Sequence, residues 1–301
     1  MTGILCIDKP HGITSFSAVS RVSRLLSRAK CGHVGTLDPM ATGVLPVLIG
    51  GATKFADYLP NHDKAYRAVI RLGITTDTLD ITGTVLSKRE VTARKEDFEN
   101  ILPEFRGSIE QIPPMYSAVS QNGMRLYDLA RKGIEVERKK RNVTIYSLEL
   151  ADFCEESGEY TVDVHCSKGT YIRTLSNDIG EALGCGAVLI SLRRTLAAGY
   201  SDSQCISLEE FQRAVEIGNA EKYIRPVESA FTDFKSVFVT DGQAKRFQNG
   251  GALALDRLVL PQNSDSVLKV FAKCDNKFLG LGEICAEEGA LKVKRLLVYG
   301  D

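Results

Sequence analysis

The sequence predicts an α+β fold with a small β-rich unit at its C-terminal end, and three observations carry that reading. Strand-like and helical stretches mix without the regular strand–helix–strand rhythm of a doubly wound sheet. Two segments, 15–28 and 170–183, place apolar residues three and four apart, as amphipathic helices do. From Ser236 the chain breaks into five short strand-like runs, 237–240, 252–260, 267–273, 277–284 and 290–299, separated by glycine and polar turns, which suits a small barrel or sandwich. A length of 301 residues leaves room for about two domains.

Taken in order, residues 3–8 (GILCID) read as a buried strand stopped by the turn Lys9-Pro10-His11-Gly12. Thr14 or Ser15 caps a helix reaching to about Arg28. Phe16, Val19, Val22 and Leu26 fall on one face of it and Arg21, Arg24 and Arg28 on another. A glycine-rich segment runs from Lys30 to Lys54. Residues 64–73 are strand-like, and Thr76 to Gly83 make a polar turn into a short strand. Residues 94–106 read as helix, and 123–132 as a short helix stopped by Gly133. Strands are expected at 142–153 and 159–166, then the second amphipathic helix, stopped by Gly184, and a polar helical stretch over 206–230.

Thirty-eight Lys and Arg balance thirty-eight Asp and Glu, so net charge points to no polyanion partner, and any such surface must come from local segregation. No run of about 18 apolar residues exists, and the charged start MTGILCIDKP does not read as a signal peptide. The eight cysteines form no CxxC or zinc-ligand spacing and read as free thiols of a reducing cytoplasm.

The chemistry concentrates in GHVGTLDPMATGVLPVLIGGATK, residues 32–54. Pro39 disfavours helix at Asp38, so the carboxylate projects from a loop, and Leu37 with the apolar run to Ile49 anchors that loop on the core. A carboxylate held this way suits nucleophilic or acid–base work; an Asx-turn or capping aspartate is the commoner role of such a residue. His33 by itself reads more often as a loop or partly buried histidine than as a functional one. In SKGTYIR, Tyr171 and Arg173 lie at a strand-to-helix junction, where Arg173 can grip a carboxylate bidentately or make a surface salt bridge. Tyr66 in KAYRAV suits a half-buried strand aromatic. Basic residues gather in three groups: Arg21, Arg24, Arg28 and Lys30; Arg131, Lys132, Arg138, Lys139, Lys140 and Arg141; and Arg193 with Arg194. Each suits a phosphate footprint or a solvated face.

The segment GHVGTLDPMATGVLPVLIGGATK resembles the signature motif of TruB-type tRNA pseudouridine synthases. KAYRAVIRLGITTDTLDITG, IPPMYSAVSQNGMRLYDLARKGIEV and HCSKGTYIRTLSNDIGEALGCGA resemble the family's other motifs in the family's order, and ILCIDKPHGITS matches as well. The likeness covers roughly residues 3–230, and the remainder is similar to a small PUA-type RNA-binding module.

The resemblance implies a mixed, mainly antiparallel sheet flanked by helices. It also implies a catalytic domain over 1–230, with an RNA-binding insertion at about 114–141, and a PUA-like domain over 231–301. The implied activity is isomerisation of uridine 55 in the tRNA T-loop, by a cytoplasmic monomer with no membrane partner and no metal, nucleotide or organic cofactor. By the same resemblance Asp38 is the catalytic carboxylate, acting on the uracil, on the ribose C1′ or in a glycal route. Tyr66 stacks on the target base and Arg173 pairs with the carboxylate. Tyr171 and Leu192 line the pocket, Lys54, Lys9 and Asp80 stand near it, and His33 reaches into the RNA loop. Two rival readings are a non-catalytic RNA-binding or tRNA-folding protein on this scaffold and a glycosidase-like enzyme. The glycosidase reading needs two carboxylates flanking the bond and gives the basic groups no role.

Overall fold

In the computed structural model, which describes residues 1–60, 63–117, 119–121, 123–262 and 266–298, strand β1 (Gly3–Lys9) carries Ile4, Leu5, Cys6 and Ile7, all buried. A strand apolar on both faces must run through the interior of a sheet. Helix α1 (Ser15–Leu25) follows, capped by the Thr14 hydroxyl, and buries Ala18, Val19 and Val22. Two expectations fail here. Phe16 faces outward, 74% exposed, and the helix stops at Leu25, because Ser27 and Arg28 adopt left-handed backbone conformations. Arg28 therefore leaves the basic stripe of the helix.

The glycine-rich segment contains two strands that its sequence conceals, β2 (Cys31–His33) and β3 (Thr42–Ile49). With β4 (Lys64–Leu72) they belong to one sheet of eleven strands. Its order is Ile206–Ser207, β1, β3, Ala187–Ala197, β4, Glu159–Cys166, Arg141–Cys154, Gly107–Gln111, with β2 pairing to β3 at its side. The pairs are antiparallel except β1 with Ile206–Ser207 and β3 with Ala187–Ala197. The mixed, mainly antiparallel sheet is thus as expected. Helix Ile172–Ala182 buries Ile172, Leu175 and Ile179 against strand Ala187–Ala197, whose central place the sequence did not announce.

Helical expectations shrink elsewhere. Residues 94–106 divide into an α-helix, Lys95–Ile101, and a 3-10 turn, Leu102–Phe105. Within 123–132 only Leu126–Ala130 is α-helical, after the small strands Ser120–Gln121 and Met124–Arg125; residues 118 and 122 lie outside the described residues. Over 206–230 only Leu208–Glu216 is α-helix. All eight cysteines are unpaired.

The C-terminal part forms a second sheet in the order Ser236–Val239, Val267–Ala272, Phe278–Cys285, Ala290–Leu296, Leu253–Ala254. The expected long run 252–260 contributes only Leu253–Ala254, since the chain turns at Leu255–Arg257 to press Leu255 and Leu258 on the core. An unexpected helix, Asp241–Gln248, buries Ala244 and Phe247 there; the end of the last predicted run, Tyr299, lies outside the described residues. The two sheets share a core: Phe55 lies 5.9 Å from Phe231 and 6.0 Å from Phe278, ring centre to ring centre.

Candidate active site

The loop bearing Asp38 is held from three sides. The Ser15 hydroxyl accepts from the Leu37 N–H at 2.8 Å and donates to the Leu37 carbonyl at 3.0 Å. Gly12 N–H donates to the Pro39 carbonyl at 2.8 Å, and Ala41 N–H to the Asp38 carbonyl at 3.1 Å. The third support is Arg194, wholly buried, whose Nε donates to Val44 O at 2.7 Å and Nη2 to Gly35 O at 2.9 Å. Gly35 (φ +71°) lets that guanidinium approach: a Cβ there would stand 3.1 Å from Arg194 Nη1. Leu37, Met40 and Ala41 fill the core below.

Asp38 projects from this loop into a cavity of about 230 Å³ that Tyr66, Tyr171, Leu192 and Arg173 also line. Among the described residues its carboxylate takes no backbone N–H, so it is neither a cap nor an Asx-turn. Its partner is Arg173, with Nε 3.0 Å from Oδ2. The expected bidentate grip is absent, because the other nitrogens are committed: Nη1 donates to Thr78 O at 3.1 Å and Nη2 to Tyr116 O at 2.7 Å. Arg173 Nη1 also lies 3.8 Å from buried Asp80, whose Oδ1 accepts from Thr78 Oγ1 at 2.9 Å and Thr82 N–H at 3.0 Å. Burial raises the Asp38 pKa above the ordinary aspartate value; Arg173 and Lys9 oppose that rise and Asp80 adds to it. Arg173 therefore moderates the desolvation cost without cancelling it.

Tyr66 stands in β4 opposite Arg194 on the neighbouring strand. Burial pushes its phenol up to about 12 despite the Arg194 charge beside it, so the hydroxyl stays protonated at neutral pH. Tyr171 precedes helix Ile172–Ala182, its N–H and carbonyl both bonded to the Gln111 amide, at 3.0 and 3.3 Å. His33 and Asp80 line an adjoining open cavity of about 720 Å³, which shares Asp38 and Arg173 with the first.

Two candidates stand apart. Lys9 lies behind the loop, fully buried, its ammonium donating to Pro10 O and Ile13 O at 2.8 Å; burial lowers it to about 8. Lys54 lines neither cavity; it is exposed, and its carbonyl accepts from Arg295 Nε at 2.7 Å. The third basic group also dissolves. Arg193 pairs with Asp8 through two 3.0 Å bonds, and Arg194, which reaches no solvent, offers no phosphate contact. Residue chemistry passed over Lys64, which lines the cavity, and Arg194, whose guanidinium lies behind Gly35, the latter because a pair of basic residues in a strand reads as surface.

This geometry accords with the comparisons with known proteins. Residues 23–172 match the TruB family pseudouridylate synthase N-terminal domain. Residues 173–232 match the tRNA pseudouridylate synthase B C-terminal domain, and residues 236–297 the C-terminal domain of pseudouridine synthase II TruB. A tRNA pseudouridine synthase B of Clostridium kluyveri is 45% identical over 282 residues, 94% of this chain and 95% of its own length. One from Azoarcus sp. is 44% identical over 98% of this chain and 94% of its own. Among solved structures, one described as a Cbf5-Nop10-Gar1 complex contains a chain that superposes with a TM-score of 0.72 at 26% identity, covering 98% of this chain and 85% of that one. Motif order, sheet topology and relatives across nearly the whole length agree, and the chain belongs to the TruB family of pseudouridylate synthases.

Proposed function

We propose that this protein converts uridine 55 in the tRNA T-loop to pseudouridine, with Asp38 as the essential carboxylate. Support comes from the naming of its relatives as tRNA pseudouridine synthase B and from one geometric observation: a half-buried aspartate 3.0 Å from a buried arginine in a cavity walled by Tyr66. The reaction is an isomerisation. The bond from ribose C1′ to uracil N1 breaks, a bond from C1′ to C5 forms, and the proton lost from C5 is balanced by one gained at N1. A carboxylate that stays ionised beside Arg173 serves that exchange.

The target base must leave a folded loop at a cost of a few kcal/mol. Tyr66 offers a ring face to the extruded uracil, with Tyr171 and Leu192 closing the pocket, and His33 at the mouth fills the vacated stack. Asp80 and Lys9 act behind the cavity, where they fix Arg173 and the Asp38 loop. Lys54 is assigned to RNA contact outside it. We further assign 1–230 to catalysis, 114–141 to closing over the RNA, and 231–301 to a PUA-like auxiliary RNA contact, in a cytoplasmic monomer. No helix among the described residues is long and apolar enough to cross a membrane. The test is an unmodified tRNA transcript incubated without cofactor and mapped for pseudouridine. Conversion at the single T-loop uridine is expected. Tight binding with no conversion would establish an RNA-folding protein instead.

A further inference from the structure

Phe16 is a phenyl ring 74% exposed at the start of α1. A single exposed phenylalanine is ordinary; this one is distinguished by its mounting and its surroundings. Thr14 caps its helix, accepting the Ser17 N–H at 3.0 Å, and the next residue, Ser15, is bonded both ways to Leu37, the neighbour of Asp38. The backbone that carries the ring is therefore fixed relative to the Asp38 loop. It lines the open cavity of about 720 Å³ together with His33, Tyr127, Arg125 and Arg131. The guanidinium carbons of Arg125 and Arg131 lie 5.9 and 5.5 Å from the Tyr127 ring centre, and both arginines are exposed. Asp38 and Asp80, the acids of that cavity, are held by Arg173. Aromatic faces with solvent-facing guanidiniums are the chemistry that holds an unpaired nucleotide, the ring against the base and the cations against its phosphate.

We propose that Phe16 is a stacking platform for an unpaired base of the substrate RNA other than the target uridine, seated in this second cavity with its phosphate against Arg125 and Arg131. The inference rests on the proposed function and names a base-binding contact beyond the catalytic pocket. It is tested with Phe16→Ala, Phe16→Leu and Phe16→Trp in the full chain against an unmodified T-arm stem-loop, reading binding and single-turnover conversion separately. Phe16→Ala and Phe16→Leu are expected to weaken binding about 5- to 100-fold, while Phe16→Trp restores it, since a ring face is required and not apolar area alone. The rate at saturating RNA should change less than about 2-fold, the mark of lost ground-state binding. Abasic substitution at one unpaired loop position should cost the wild type the same factor and cost Phe16→Ala nothing more. Binding by Phe16→Ala or Phe16→Leu within about 2-fold of wild type would overturn the proposal, as would the absence of any coupled loop position. A wild type that binds the stem-loop but never converts it would overturn the functional reading instead, and that arm does not depend on Phe16.

Discussion

The role proposed for Asp38 rests on a balance that two substitutions can separate. Asp38→Asn keeps the size and hydrogen bonding of the side chain but removes the carboxylate, so pseudouridine formation should vanish while tRNA affinity stays within a few-fold. Turnover near the wild-type rate would remove Asp38 from its role. The pH profile tests the electrostatics. The proposed role needs the ionised form, and burial raises its pKa above 3.8, so kcat/KM should fall on the acid side at a pH above that value. Arg173 lowers the pKa of Asp38, so Arg173→Gln should move the acid limb further up. A limb at or below 3.8 in the wild type would contradict the buried-carboxylate account. Sequence made Asp38, Tyr66, Tyr171, Arg173 and Leu192 legible through their motifs. It could not show Arg194, because nothing local separates an arginine that cradles a loop from one that faces solvent.

At the scale of elements, β3 and strand Ala187–Ala197 form the joint between the two halves of the large sheet, and both escaped the sequence reading. Gly43 and Pro46 interrupt β3 with residues that normally end strands, and strand Ala187–Ala197 is buried on both faces over Ala187–Leu189, which erases alternation. By contrast, β1, β4 and Glu159–Cys166 were legible because their apolar runs are short, bounded and rich in branched residues. Gly43 (φ +97°) lies against Arg194 in the short parallel pairing, and a Cβ there would stand 2.2 Å from the Arg194 carbonyl oxygen. Gly43→Ala should therefore cost more than about 2 kcal/mol, combining a left-handed backbone with a backbone clash. A denaturation midpoint matching the wild type would show that the joint yields. The basic run ahead of strand Arg141–Cys154 makes a different prediction. Lys140 already pairs with exposed Glu110 at 3.1 Å, a contact of little strength that RNA can displace. Neutralising Lys139, Lys140 and Arg141 together should make the slope of log K against log salt shallower by about 2 units, with kcat little changed. An unchanged slope would mean the run does not touch phosphate, and would direct attention to Arg21 and Arg24 on α1.

For the whole molecule, the two parts assigned above, 1–230 and 231–301, meet in a shared apolar core. Phe55, Phe231, Phe278, Leu281 and Leu297 lie in one apolar cluster with Ile4 and Leu48. Cutting after residue 232 would bare Phe55 and Phe231, at about 1.5–3 kcal/mol for each large side chain, a sizeable share of a typical total stability. The 1–232 fragment should melt well below the full chain and bind an apolar dye, and the full chain should unfold in one transition. Two separate transitions, with the fragment as stable as the whole, would show that the seam contributes nothing. The same seam is tied by Arg295, whose Nε donates to the Lys54 carbonyl 241 residues earlier and whose guanidinium lies 5.6 Å from the Tyr58 ring centre. Such a closure is among the most non-local that a chain of this length can make, and non-local closure slows folding. During synthesis the underside of the first sheet stays uncovered until Phe278 and Leu297 have left the ribosome. A growing chain that already carries Asp38, Tyr66 and Arg173 therefore holds the proposed site but not yet the floor that supports it, and aggregation competes with folding for as long as translation stalls in that interval.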